Sequence, residues 1–259
     1  MWIPGGHYCE SKRLLFPIAT HDETNHWGRP LNIQRKIRGL STRAFEILSI
    51  VARSLSGRLD AWERSIAKFE AQDRVHSPPP GAIVFTGSSS ITFWKTLEQD
   101  MAPLPVINRG FGGSRISQVA YNANRIVVPH HPRAVVLFAG TNDLAGWKPK
   151  TARQVFAGYR AFVEVVHAAL PETPIYYISI TPTPLRWRHW PVARQANRLI
   201  EAHAKTDARL HFIDMTHAIL GPDGKPRRDL FRFDRLHPNR KGYVQWAGVI
   251  RPILEKDLA

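Results

Sequence analysis

From Ala82 onward, short apolar runs alternate with longer stretches in which apolar residues recur every three or four positions. Ala82-Ile83-Val84-Phe85, Pro105-Val106-Ile107, Ala134-Val135-Val136-Leu137-Phe138, Ile175 to Ile180 and Leu210 to Ile213 predict five strands. The third is uniformly apolar, as a strand buried on both faces of a parallel sheet should be. Between the runs, Arg115 to Val127, Thr151 to Leu170 and Val192 to Thr206 predict helices, and Asn239 to Leu254 predicts a closing one. Within Thr151–Leu170, the residues Val155, Phe156, Tyr159, Phe162, Val163 and Val166 form one stripe, the mark of a helix with a single buried face. Strands alternating with helices imply an α/β protein: a mostly parallel five-stranded sheet covered on both faces, in a three-layer α/β/α sandwich.

The pattern is weaker upstream. Residues 1–40 show no sustained period and hold several Gly, Pro and His, which predicts an extension of low order. Arg43 to Arg58 fits a helix, with Phe45, Leu48, Val51 and Leu55 suitably spaced. A clearer helix is expected from about Asp60 to Asp73, with Leu59, Trp62, Ile66 and Phe69 on one side. Pro78-Pro79-Pro80 stops any helix and sets up an extended entry to the first strand. The division expected is an N-terminal extension, 1–55, low in order or partly helical, followed by one domain, 56–259.

Composition narrows the class. The 259 residues carry a formal net charge of +15, of which +4 falls in residues 1–80 and +11 in the rest. Charge spread in this way fits a generally basic surface better than a specific nucleic-acid partner. The single cysteine, Cys9, excludes an intramolecular disulfide framework and a multi-cysteine metal site. No apolar run approaches the ~20 residues that span a bilayer. The first residues lack the charged-then-apolar order of a secretory signal, so a cytoplasmic location is expected; a start codon assigned wrongly would leave export open.

Candidate chemistry sits just after the strands. Thr86-Gly87-Ser88-Ser89-Ser90-Ile91 follows the first, Asn108-Arg109-Gly110-Phe111-Gly112-Gly113-Ser114 the second, and Gly140-Thr141-Asn142-Asp143 the third. Ligands of open parallel sheets bind beyond the carboxyl ends of the strands, so these loops are expected to converge on one rim. A serine on a sharp strand-to-helix turn exposes a nucleophilic hydroxyl, although serines at such positions also cap helices. The residues alone leave open which of Ser88, Ser89 and Ser90 it is. Asp234 and His237 are three apart, and on one helical turn they would share a face, with the carboxylate orienting an imidazole that addresses the serine. The Gly113 amide and the Asn142 carboxamide are candidate donors to an oxyanion.

These residues, in this order, resemble the SGNH hydrolases, the GDSL esterase/lipase family. The resemblance runs from about Ile83 to Val244. It implies a flavodoxin-like sandwich and places the nucleophile at Ser89, the third residue of the block that reads Gly-Asp-Ser in the family and Gly87-Ser88-Ser89 here. It further implies a triad of Ser89, Asp234 and His237, an oxyanion hole of Ser89, Gly113 and Asn142, and cleavage of carboxylic esters with no cofactor or metal. Ser88 departs from the family's usual aspartate. No Gly-x-Ser-x-Gly elbow surrounds Ser89, which sets the chain apart from ordinary α/β-hydrolases.

The expected partners are a small-molecule ester and water: a small acyl ester, an acetylated carbohydrate or a lysophospholipid-like lipid. The loop Thr181 to Trp190 should overhang the same rim, and Trp187, Arg188 and Trp190 are candidates for substrate contact. The same residues would also suit a rigid surface loop packed on the body. Trp94 and Trp147 are assigned to core or rim packing, and His130-His131 to a polar loop rather than a metal site. A non-catalytic binding module on this fold is the rival reading, and a basic nucleic-acid-binding protein a lesser one. The glycines at 110–113 form neither a dinucleotide-binding nor a Walker pattern.

Overall fold

A computed structural model describes residues 60–146 and 148–259. The helix expected over Arg43–Arg58, the irregular first forty residues, Leu59 and Trp147 lie outside the described residues. The elements in chain order are α1 (Glu63–Val75), β1 (Ile83–Gly87), α2 (Ser89–Thr92), α3 (Leu97–Met101), β2 (Val106–Gly110), α4 (Ile116–Ile126), β3 (Val135–Phe138), α5 (Ala152–Ala169), β4 (Ile175–Ile178), α6 (Trp190–Ala204), β5 (Leu210–Ile213), α7 (Thr216–Ile219) and α8 (Arg240–Asp257). All five strands and the four long helices expected after Ala82 are present.

The strands form one parallel sheet in the order β2-β1-β3-β4-β5. Alternation of side chains across each strand divides the apolar residues into two cores. Val84, Val135, Leu137, Ile175 and Tyr177 face α1, α4, α5 and α6. Ile83, Phe85, Val136, Phe138, Tyr176 and Ile178 face the other way, against α2, α3 and α8, where Tyr243, Trp246, Ile250 and Leu254 supply the helical stripe. Trp94 belongs to this second core, 1% exposed and stacked on Tyr243 at 5.1 Å between ring centroids.

The chain leaves β1 outward to β2 and then crosses back to β3. Such a reversal opens a crevice between the two loops that leave β1 and β3. Register sharpens this: Gly87 at the end of β1 stands level with Gly110 of β2 and Phe138 of β3. Three loops therefore leave the sheet side by side. Only glycine fits at position 87, where φ is +138° and an added Cβ would lie 2.0 Å from the Phe138 carbonyl oxygen. The tight crossing there turns the chain directly into α2, so Ser89 begins that helix at the mouth of the crevice.

Candidate active site

Ser89 opens α2 from the end of β1, and its Oγ lies 2.7 Å from Nε2 of His237, 148 positions away in the chain. Its neighbours are placed differently. Ser88, at the N-cap of α2, is fully buried and its side chain makes no capping bond. The Ser90 carbonyl accepts the Tyr243 hydroxyl at 2.8 Å. Ser89 and His237 are themselves only 5% and 4% exposed.

His237 Nδ1 lies 2.8 Å from Oδ2 of Asp234. The other carboxylate oxygen accepts the backbone amides of Leu236 at 2.9 Å and His237 at 3.0 Å. Burial pushes the Asp234 carboxyl up, but the hydrogen bonds from the His237 ring and from these two amides outweigh it and hold the group at about 2. Because an ionised carboxylate can only accept, Nδ1 carries the proton and Nε2 is left to accept from the Ser89 hydroxyl.

The helical turn expected over Asp234–His237 is not what joins the pair. The segment is an irregular turn in which Arg235 takes the left-handed region at φ +56°. Pro238 disfavours helical backbone at His237 and instead pairs with Phe231 in an isolated antiparallel bridge. Asp234 and His237 share a side because the carboxylate caps its own turn. Arg232 closes the loop, its amide donating to the His237 carbonyl at 2.8 Å and its Nε to the Pro238 carbonyl at 3.1 Å. The Arg232 guanidinium also lies 4.8 Å over the Phe93 ring, and Phe93 in turn meets the His237 imidazole edge-on at 4.9 Å. The imidazole is thereby walled on its apolar side.

The loops after β2 and β3 meet the same crevice. Gly113 sits in the left-handed region at φ +82°, in a turn closed by Ser114 N–H on the Phe111 carbonyl at 3.4 Å. The Asn142 carboxamide donates Nδ2–H to the Ser114 carbonyl at 3.0 Å, and its Oδ1 accepts from Arg186 Nη1 at 2.9 Å. The next residue, Asp143, is fully buried; it accepts the Ile116 amide at the start of α4 at 2.9 Å and pairs with Lys150 at 2.7 Å. The β3 loop is thus tied to the β2 loop and to α4.

The segment after β4 does reach this rim, since Leu185 N–H donates to the Arg235 carbonyl at 3.0 Å. Trp187 and Trp190 lie nearly parallel, 6.5 Å apart, and with Arg188, Arg194 and Leu220 they line a cleft of about 550 Å³. Neither Ser89 nor His237 lines that cleft. His130 faces Asp73 at 3.5 Å, and among the described residues no three His, Cys, Asp or Glu side chains are gathered to hold a metal ion.

The model of the GDSL-like lipase/acylhydrolase family matches residues 78–245, about two thirds of the sequence and all of these loops. The chain belongs to this family. It is accordingly a hydrolase acting on esters. A human relative, platelet-activating factor acetylhydrolase IB subunit alpha1, is 28% identical over 211 residues, covering 76% of this chain and 84% of that one. A GDSL-like lipase from Bacteroides thetaiotaomicron shares the fold with a TM-score of 0.64 at 21% identity, over 74% of this chain and 98% of its own. A carbohydrate esterase family 3 structure from Talaromyces cellulolyticus does so with a TM-score of 0.53 at 19% identity, over 68% and 98%.

Two residues of this candidate site escape a reading of the sequence. Phe93 is one of several aromatics near the first loop, and nothing in its spacing marks it as the wall behind an imidazole. Arg186 is one of two arginines flanking Trp187, and the sequence does not tell which of them turns inward. No other among the described residues donates a charged hydrogen bond to Asn142.

Proposed function

We propose that this protein is a serine esterase in which Ser89, His237 and Asp234 form the catalytic triad. The hydrogen-bonded series from Ser89 Oγ through His237 to Asp234, at 2.7 and 2.8 Å, is the single observation that carries this reading. His237 Nε2 takes the hydroxyl proton as Ser89 Oγ attacks the ester carbonyl. The carbonyl oxygen becomes an oxyanion, held by the backbone amides of Ser89 and Gly113 and by the free Nδ2–H of Asn142. Collapse of the tetrahedral intermediate breaks the bond to the alkoxy oxygen, which leaves as an alcohol with the proton from His237. The imidazole then takes a proton from water, and its hydroxide attacks the acyl-enzyme to release the carboxylic acid and restore Ser89.

The substrate is proposed to be an ester with a small acyl group, on a carbohydrate or a lysophospholipid-like lipid. Two considerations support a short chain. The nucleophile and base are nearly buried, which favours a small group at the reacting carbonyl. The relatives are named as an acetylhydrolase and a carbohydrate esterase. Trp187, Arg188 and Trp190 are proposed to contact the far part of an extended leaving group, through the aromatic and cationic cleft that they line.

A panel of p-nitrophenyl esters from acetate to long acyl chains tests the reading, with wild type, Ser89→Ala and His237→Ala. The expected result is turnover that falls with chain length and is lost by several orders of magnitude in both variants. Full activity in Ser89→Ala would overturn the triad. An inert wild type that still binds the esters would favour a non-catalytic binding module.

A further inference from the structure

We propose that Arg186 is a positioning residue for the oxyanion hole: it fixes the Asn142 carboxamide so that one Nδ2–H is left pointing at the developing charge. The inference rests on the esterase reading above and adds to it a residue from a loop that carries none of the triad.

A carboxamide is useful in an oxyanion hole only in one of its two flipped orientations. With Oδ1 toward the oxyanion it would repel the charge. An isolated asparagine rotates freely between the two, because the broad torsion at the amide has two nearly equivalent wells. Here both ends are tied. Arg186 Nη1 donates to Asn142 Oδ1 at 2.9 Å and to Thr141 Oγ1 at 3.1 Å. A guanidinium has donors and no acceptor, so the flipped amide would set donor against donor. At the other end Nδ2 gives one hydrogen to the Ser114 carbonyl at 3.0 Å. One hydrogen remains, and its direction is determined.

The backbone that carries the guanidinium is itself held. The Arg186 amide donates to the Thr183 carbonyl at 3.2 Å and to the Thr183 hydroxyl at 3.3 Å. Desolvation pushes its pKa down to about 10, against the opposing pull of the buried Asp143 carboxylate, so it remains a cation at neutral pH. A cation bonded to Oδ1 draws electron density toward that oxygen and sharpens the donor on the other side of the amide. The preceding residue, Leu185, donates to the Arg235 carbonyl in the turn that carries His237. Two consecutive residues therefore connect the proposed base and the proposed oxyanion donor.

The contribution appears only as charge develops on the carbonyl oxygen, which makes it a kcat effect. The test is Arg186→Met, Asn142→Ala and the double variant, assayed on p-nitrophenyl acetate with melting temperatures measured alongside. Arg186→Met is expected to lower kcat by about 10- to 100-fold with KM within about threefold, given that a lost oxyanion donor costs about 10²–10³. In the Asn142→Ala background the same change is expected to cost less than about threefold, because the amide it positions is gone. Arg186→Lys keeps the charge with a single ammonium donor and is expected to recover part of the loss. A kcat for Arg186→Met within twofold of wild type, or equal losses with and without Asn142, overturns the proposal while the triad stands. If Arg186→Met does not fold, the cycle is run with Arg186→Lys, where equal losses in both backgrounds overturn it as well. Wild type inert on the ester overturns both readings.

Discussion

The Trp62 indole donates its N–H to the Gly112 carbonyl at 2.7 Å, across fifty positions of chain. Trp62 is the N-cap of α1 and 1% exposed, and its ring meets Phe111 edge-on at 6.1 Å. This one bond fastens α1, which precedes β1, to the turn that carries Gly113. Trp62→Phe keeps most of the packing and removes the donor, leaving a carbonyl without its partner. The expected cost is about 1–2 kcal/mol of stability by urea unfolding. Turnover of p-nitrophenyl acetate is expected to fall several-fold as the Gly113 amide loses its fixed direction.

Asn142→Ala is expected to lower kcat by about 10²–10³ while leaving KM nearly unchanged, because in the proposed mechanism the amide acts on charge that exists only in the transition state. Steady-state kinetics on one short ester decides this. A variant whose KM rises while kcat holds would mean that Asn142 binds substrate and does not hold an oxyanion.

The depressed carboxyl of Asp234 makes a statement about pH. Its ordinary value is 3.8 and its folded value about 2, so the ionised form contributes stability above 3.8 that is lost as pH falls toward 2. Asp234→Asn keeps an acceptor for the two backbone amides but lacks the charge. It is expected to be less stable than wild type by about 2 kcal/mol at pH 6, with the gap closing between pH 4 and pH 2. Urea unfolding of both proteins across that range checks it; a gap independent of pH would remove the carboxylate's charge from the account.

Gly87 and Gly248 make opposite predictions. Gly87→Ala drives a Cβ into the Phe138 carbonyl at 2.0 Å, and it is expected to cost about 3 kcal/mol or more together with most of the activity. Gly248, in the exposed middle of α8, has nothing within 4 Å of an added Cβ. Gly248→Ala is expected to raise stability by about 0.5–1 kcal/mol, since alanine restricts the unfolded chain and favours the helix. Thermal melts of the two variants separate crowding from propensity.

The sheet and its helices were legible because the strands are short apolar runs, as burial on both faces demands, and the helices carry one apolar stripe each. Asp234 and His237 were legible as a pair from their spacing, yet the geometry inferred from that spacing was a helical turn. The left-handed Arg235 and the carboxylate's bonds to its own backbone do that work instead, and neither leaves a periodic trace. Arg186 was not legible at all. Its partners lie 44 and 45 positions away, and only the folded chain distinguishes it from Arg188, which turns to the outer cleft.

The turn that bears both the imidazole and its carboxylate comes after the last strand, and Asn239, two residues on, caps α8 through its bond to the Gly242 amide at 3.1 Å. The proposed nucleophile and oxyanion donors stand on loops of the sheet, whereas the proposed proton acceptor arrives only with this later turn. On the proposed mechanism, a chain whose α8 has not yet docked on the sheet holds a hydroxyl without its base, so ester cleavage is expected to wait for that docking.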